Sequence, residues 1–180
     1  MNYEATKDDA PDWQMMVCFY RTILALNLSA RPDDQVRPIA QENIILRKIA
    51  DADDSGQFAS EQFPAIIVTL QSVTSDPNEG SNDEVQNDYL FLIQIVDADQ
   101  SDKLRGLRTY LNWQNQIARR LNDPNLQAID METTGVNYEF KHVFQVNSPD
   151  RKTWVLDKNF QLGVAVRCTV REGYLTGDDQ

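Results

Sequence analysis

The chain has 180 residues, long enough for one domain with a real hydrophobic core. Its net charge of −11 argues against binding nucleic acid through phosphates, which takes clustered lysine and arginine. Its apolar runs, such as 65–68 and 89–93, fall far below the roughly 18 residues that a membrane helix needs.

The first residues carry no basic-plus-apolar leader pattern, so the expectation is a protein made and folded in the cytosol. The acid is uneven: residues before about position 100 hold nearly all of the excess, and the rest is close to balanced. Asp8-Asp9, Asp33-Asp34, residues 51–54 and Asp83-Glu84 sit between apolar segments and read as solvated loops.

In chain order, residues 1–9 read as a flexible polar arm. Pro11 opens a helix, since a first turn tolerates proline. Its apolar stripe is Trp13, Val17, Tyr20, Ile23, Leu24 and Leu28. Residues 29–34 are a turn. Residues 41–49 lean to strand through Ile44, Ile45 and Leu46, although 40–50 also fits a helix. Residues 63–70 form a buried strand, with Pro64 at its start where no N–H is needed. The polar stretch 75–88 reads as a mobile loop.

Residues 88–121 organise the chain. They read as a strand apolar on both faces, then an amphipathic helix. Tyr89, Phe91, Ile93 and Ile95 point one way, and Leu90, Leu92 and Val96 the other. The helix stripe is Leu104, Leu107, Leu111, Ala118 and Leu121, with Ile117 beside it. Lys103, Arg105, Arg108, Asn112, Asn115, Arg119 and Arg120 are left for water. Asp123-Pro124 stops the helix. Strands follow at 137–146 and 160–170, with a short one at 153–156, and 172–180 is an acidic tail. The expectation is a single α+β domain over 1–180, with a mostly antiparallel sheet and two main helices packed on one face.

Little in this order carries chemistry. Residues 51–62 resemble an EF-hand calcium loop, with Asp51, Asp53, Ser55 and the Gln57 carbonyl as oxygen donors and Gly56 at the turn. The pattern breaks at its twelfth position, which is Gln62; Glu61 comes one place early, and a strand follows where a helix belongs. Asp51, Asp53, Ser55 and Glu61 are therefore weak metal candidates only. His142 is the single histidine and reads as a packed sheet residue rather than a base. Cys18 and Cys168 read as buried thiols. No glycine-rich phosphate loop and no G-x-S-x-G is present. The reading is of a protein with no catalytic residues and no cofactor.

Taken together, the pattern resembles the tail terminator and related minor tail proteins of the neck and head–tail junction in long-tailed bacteriophages. The resemblance covers about residues 12–171. It is carried by the first helix ending Leu24-Ala-Leu-Asn-Leu28, the strand at Phe63-Pro-Ala-Ile-Ile-Val68, the strand and Arg-rich helix of 89–121, and the last strand at 162–170. It implies an α+β virion protein that forms a homo-oligomeric ring, usually hexameric, and closes the tail tube at its head end. Its partners would be the tail tube protein and the neck or connector proteins, with DNA passing through the lumen unbound and no membrane. An acidic lumen suits sliding DNA, because it repels phosphate. A sheet apolar on both faces with two helices to cover it leaves surface for a neighbour, so Leu90, Leu92, Val96 and Trp113 are the candidate oligomer interface. The alternative readings are a calcium- or peptide-binding module built on 51–62, and a small hydrolase around His142.

Overall fold

The computed structural model describes residues 2–6, 9–29, 36–47, 63–76, 84–97, 104–123, 139–146 and 160–173. They form a single α+β domain, a mixed and mostly antiparallel sheet with two helices against it. The elements run α1 (Pro11–Ala25), a short 3-10 turn (Gln41–Asn43), β1 (Ile44–Arg47), β2 (Ala65–Asp76), β3 (Glu84–Asp97), α2 (Leu104–Leu121), β4 (Glu139–Val146) and β5 (Phe160–Gly173).

The sheet order is β1-β2-β3-β5-β4. Short β1 runs parallel to β2, and every other pairing is antiparallel. β3 is the spine. It pairs along its whole length with β5, from Glu84 opposite Gly173 to Asp97 opposite Phe160. Its other edge pairs with β2. Two flanking strands satisfy its backbone on both sides, which is why a run apolar on both faces settles there.

Both helices lie on the face that carries Tyr89, Phe91, Ile93 and Ile95. One core holds these side chains with Ile66 and Val68 of β2 and Leu162, Val164, Val166 and Cys168 of β5. From the helices it takes Met15, Phe19, Tyr20 and Ile23 of α1 and Tyr110, Trp113, Ile117 and Leu121 of α2. Phe19 meets Phe91 edge to face, with ring centroids 5.1 Å apart. α1 covers the β1–β2 side of the sheet, and α2 covers β5 and β4.

Several expectations are corrected. The arm before α1 is docked along residues 2–6 rather than loose. The Tyr3 ring packs edge-on against Trp13 and Tyr20, and Trp13 Nε1 donates to the Glu4 carbonyl at 3.0 Å. α1 ends at Ala25, earlier than residue 28, because Asn27 takes the left-handed conformation (φ 47°) that closes helices. The polar stretch 75–88 is strand at both ends, since β2 runs through Asp76 and β3 starts at Glu84. Ladder hydrogen bonds to β2 and β5 there override polar composition. Residues 77–83 between them lie outside the described residues, as do the short strand at 153–156 and the tail after Gly173.

The inward face of α2 differs as well. Gly106, Tyr110, Trp113, Ile117 and Leu121 face the sheet, while Leu107 is half-buried and Leu111 is exposed. Both stripes fit helical spacing. The aromatic one wins because Tyr110 and Trp113 bury far more area than two leucines and their polar tips find partners. Tyr110 Oη donates to the buried Asp97 carboxylate at the end of β3, and Trp113 Nε1 donates to the Ser29 carbonyl at 2.9 Å. Gln114 Nε2 adds a bond to the Gly163 carbonyl of β5 at 2.6 Å. Gly106 permits this seating: a Cβ there would stand 2.6 Å from Cε2 of Tyr110 and 3.0 Å from Cγ2 of Val36.

Candidate assembly interface

Three of the four residues expected at an oligomer interface are inside the chain. Trp113 is 0% exposed at the centre of the core. Leu92 and Val96, on the sheet face away from the helices, are 4% and 1% exposed. Leu90 alone is half-buried. The premise of a bare second sheet face is therefore corrected: within one chain Leu92 and Val96 are already out of water. Leu90 pairs with Ser72 and Arg167, both exposed, midway along β3.

The large apolar groups that do reach solvent are elsewhere. Among the described residues they are Val73 on β2 at 47%, Leu111 on α2 at 42%, and Leu24 of α1, which is only just exposed. Sequence periodicity missed Val73, which falls between the strand at 63–70 and the loop at 75–88, and it counted Leu111 as core.

Val73 lies on a stretch of β2 that has one strand neighbour among the described residues. β1 pairs with β2 only from Ile66 to Thr69. Beyond that, β2 has β3 on one side and no strand among the described residues on the other. A register shift between Leu70 and Ser72 marks the change, as bulges do at sheet edges. Residues 72–75 are all exposed. A free edge carries unpaired N–H and C=O groups, a standing template for another chain. Asp76 is the last residue of β2, and Glu84 and Asp88 lie at the same end of the sheet. Between Lys48 and Lys103 the sequence has no lysine or arginine at all, so the bases at this end, Arg167 and Arg171, come from β5.

The outer side of α2 has the opposite character. Arg108, Leu111, Asn112, Asn115 and Arg119 recur at three- and four-residue steps and form one stripe facing away from the sheet. Arg108, Leu111, Asn112 and Arg119 are exposed and Asn115 is half-buried. The helix holds four arginines and no acidic residue. Arg120 bridges to Asp123 at 3.1 Å. Among the described residues, neither Arg108 nor Arg119 is in an ion pair.

Cys18 and Cys168 are free thiols, both buried. Burial, with a smaller contribution from Cys18, pushes the Cys168 thiol well above its ordinary range, so it stays protonated at neutral pH. His142 falls in β4 opposite Arg167. The metal candidates Asp51, Asp53, Ser55 and Glu61 lie outside the described residues. No helix among the described residues is long and apolar enough to cross a membrane. Compared with models of known protein families and with curated proteins, the chain matches none.

Proposed function

We propose that this chain is a structural virion protein of the tail-terminator kind, a ring of identical subunits that ends a phage tail tube and joins it to the head. The α+β architecture supports the reading, because it is the one the resemblance implies. The observation that carries it furthest is the exposed stretch of β2 at residues 72–75, with no strand on its outer side among the described residues. An edge left open on a small chain invites a neighbour, and identical subunits meeting through different surfaces close into a ring or grow as a fibre. The reading assigns no catalytic residue. It takes six copies as the ring size, the tail tube and neck proteins as partners, and the virion as the location. DNA passes through the lumen without adhering, since an acidic wall repels phosphate.

The test is electron microscopy of particles assembled without this protein. The expected outcome is tails of irregular length or tails detached from filled heads. Normal tails of fixed length, firmly joined to filled heads, would rule the assignment out.

A further inference from the structure

Resting on the reading of a ring, we propose that the outer stripe of α2 is the seat for a second copy of this chain, which enters with its N-terminal arm and the first turns of its α1.

The stripe calls for an acidic protein surface with an apolar centre. Arg108 and Arg119 are exposed and stand about 16 Å apart along the helix at 1.5 Å per residue, with exposed Leu111 between them. α2 has no acidic residue, in a chain where acids outnumber bases 28 to 17. Protein interfaces set an apolar group at the centre and charge at the rim. A phosphate contact has no use for the leucine.

The chain carries such a surface where the arm lies on α1. The Tyr3 ring packs edge-on against Trp13 and Tyr20, with centroids 6.0 and 5.0 Å apart, and Tyr3 and Trp13 both stay half-buried. Acid stands at each end of this aromatic group. Glu4, exposed, and Asp12, half-buried, lie at the Trp13 end, where Trp13 Nε1 donates to the Glu4 carbonyl. Glu42, exposed, follows Gln41, whose side-chain amide donates to Tyr20 Oη at 2.9 Å. Trp13 and Tyr20 are about 10 Å apart along the helix. Among the described residues, Glu4, Asp12 and Glu42 are in no ion pair. Residues 2–13 hold four acids and one base, Lys7. α1 has one base, Arg21, set about 80–100° round the helix from Trp13 and Tyr20.

Two kinds of complementarity name the occupant. Acid at both ends of the arm surface meets arginine at both ends of the stripe, whereas stripe on stripe, or arm on arm, sets like charges together. The aromatic group meets Leu111, and guanidinium groups settle on the faces of tryptophan and tyrosine. Tryptophan, tyrosine and arginine are the residues that carry most of the binding energy at protein interfaces.

Placement makes this a contact between copies. α1 covers the β1–β2 end of the sheet, and α2 covers β5 and β4 at the other end. Within one chain Glu4, Arg108, Leu111 and Arg119 are all left in water. The arm surface of one copy on the stripe of the next joins two different surfaces, the head-to-tail contact that rings require.

The test uses the full chain. Glu4→Cys and Leu111→Cys are made singly and together, with the buried native cysteines kept, and linked with a short bis-maleimide. The expected result is a ladder of linked oligomers from the double variant, and linked dimers when the two single variants are mixed. In parallel, Arg108→Glu/Arg119→Glu is weighed by light scattering against wild type. It should reduce association at least tenfold while its circular dichroism and melting stay those of the wild type. Adding Glu4→Lys/Glu42→Lys, both at exposed positions, should restore much of that loss. If Arg108→Glu/Arg119→Glu misfolds, Arg108→Gln/Arg119→Gln replaces it, with a smaller loss expected. The proposal is overturned if wild type assembles, the arginine variant assembles equally and no ladder forms; a ring by other surfaces would then stand. A loss that Glu4→Lys/Glu42→Lys does not restore, without a ladder, would overturn it too, since the stripe would then meet another surface. It is also overturned if the wild type stays monomeric at high concentration with no ladder. Loss of binding to a duplex DNA probe without loss of assembly would overturn it as well, and would mark the stripe as a phosphate contact.

Discussion

β3 and α2 are joined end to end in sequence, yet they use their side chains in opposite ways. β3 is wrapped: strands flank both its edges, and from Phe91 to Asp97 every residue is buried. α2 is half wrapped, with Tyr110, Trp113, Ile117 and Leu121 in the core and Arg108, Leu111, Asn112 and Arg119 in water. The contrast separates two roles. Changes on β3, or on strand positions beside it, act on folding. Changes on the outer stripe of α2 leave that core untouched.

The largest effect should come from the strand side. Val166 lies opposite Phe91 and is fully buried. Val166→Asp forfeits about 1.5–3 kcal/mol of burial and adds the larger cost of an unpaired charge. The expected outcome is insoluble or unfolded protein; a soluble variant with an unchanged Tm would contradict the assigned face of β5. Next comes the inner side of α2. Trp113→Ala should cost about 3–5 kcal/mol in denaturant unfolding, as large aromatic truncations in cores do. A loss under 1 kcal/mol would place Trp113 at the surface, as a candidate interface residue would be.

Gly106→Ala probes the seating of that side. Alanine favours helix by about 1 kcal/mol on propensity alone. The Tyr110 ring is held by its bond to Asp97, so it yields poorly to a Cβ 2.6 Å away. Overpacking of this kind costs about 1–3 kcal/mol, so a net loss is expected. A gain in Tm would show that the helix can slide. Leu111→Ser, on the outer stripe, should change the stability of the isolated chain by no more than about 0.5 kcal/mol. Sedimentation of the same variant should show weaker association.

The smallest effect is a pH dependence. The folded Cys168 thiol ionises well above its unfolded value, so the folded state holds a proton that the unfolded state releases. Stability is therefore unaffected below about pH 8.5 and falls as pH rises past the unfolded thiol's pKa. Cys168→Ala should lose stability less steeply between neutral and alkaline pH. Equal slopes in urea titrations of the two proteins would mean the thiol is solvated.

Much of this fold was legible in the sequence, for reasons that vary by element. Phe160 to Val170 alternates so cleanly that only a strand fits, and β5 runs through it. The unit of 88–121 declared itself by changing period from two to near 3.6. The β2–β3 hairpin end was missed because Ser75, Asp76, Glu84 and Asn87 have loop chemistry; their strand state comes from ladder bonds to partners that are distant in sequence. The interface candidates went astray for a related reason. Leu92 and Val96 were judged exposed by counting helices, and their burial depends on how the whole chain wraps the sheet.

The sequence by itself determined the class of the protein: its acid balance, its two main helices and its long strands follow from composition and periodicity, which are local. Only the tertiary structure decided which side of α2 faces inward. Two apolar stripes share that helix, and the choice between them rests on Asp97, Ser29 and Val36, residues that no periodicity in the helix can see. The exposure of residues 72–75 of β2 was decided the same way, because it depends on what packs beside the strand, and among the described residues β1 pairs with β2 only from Ile66 to Thr69.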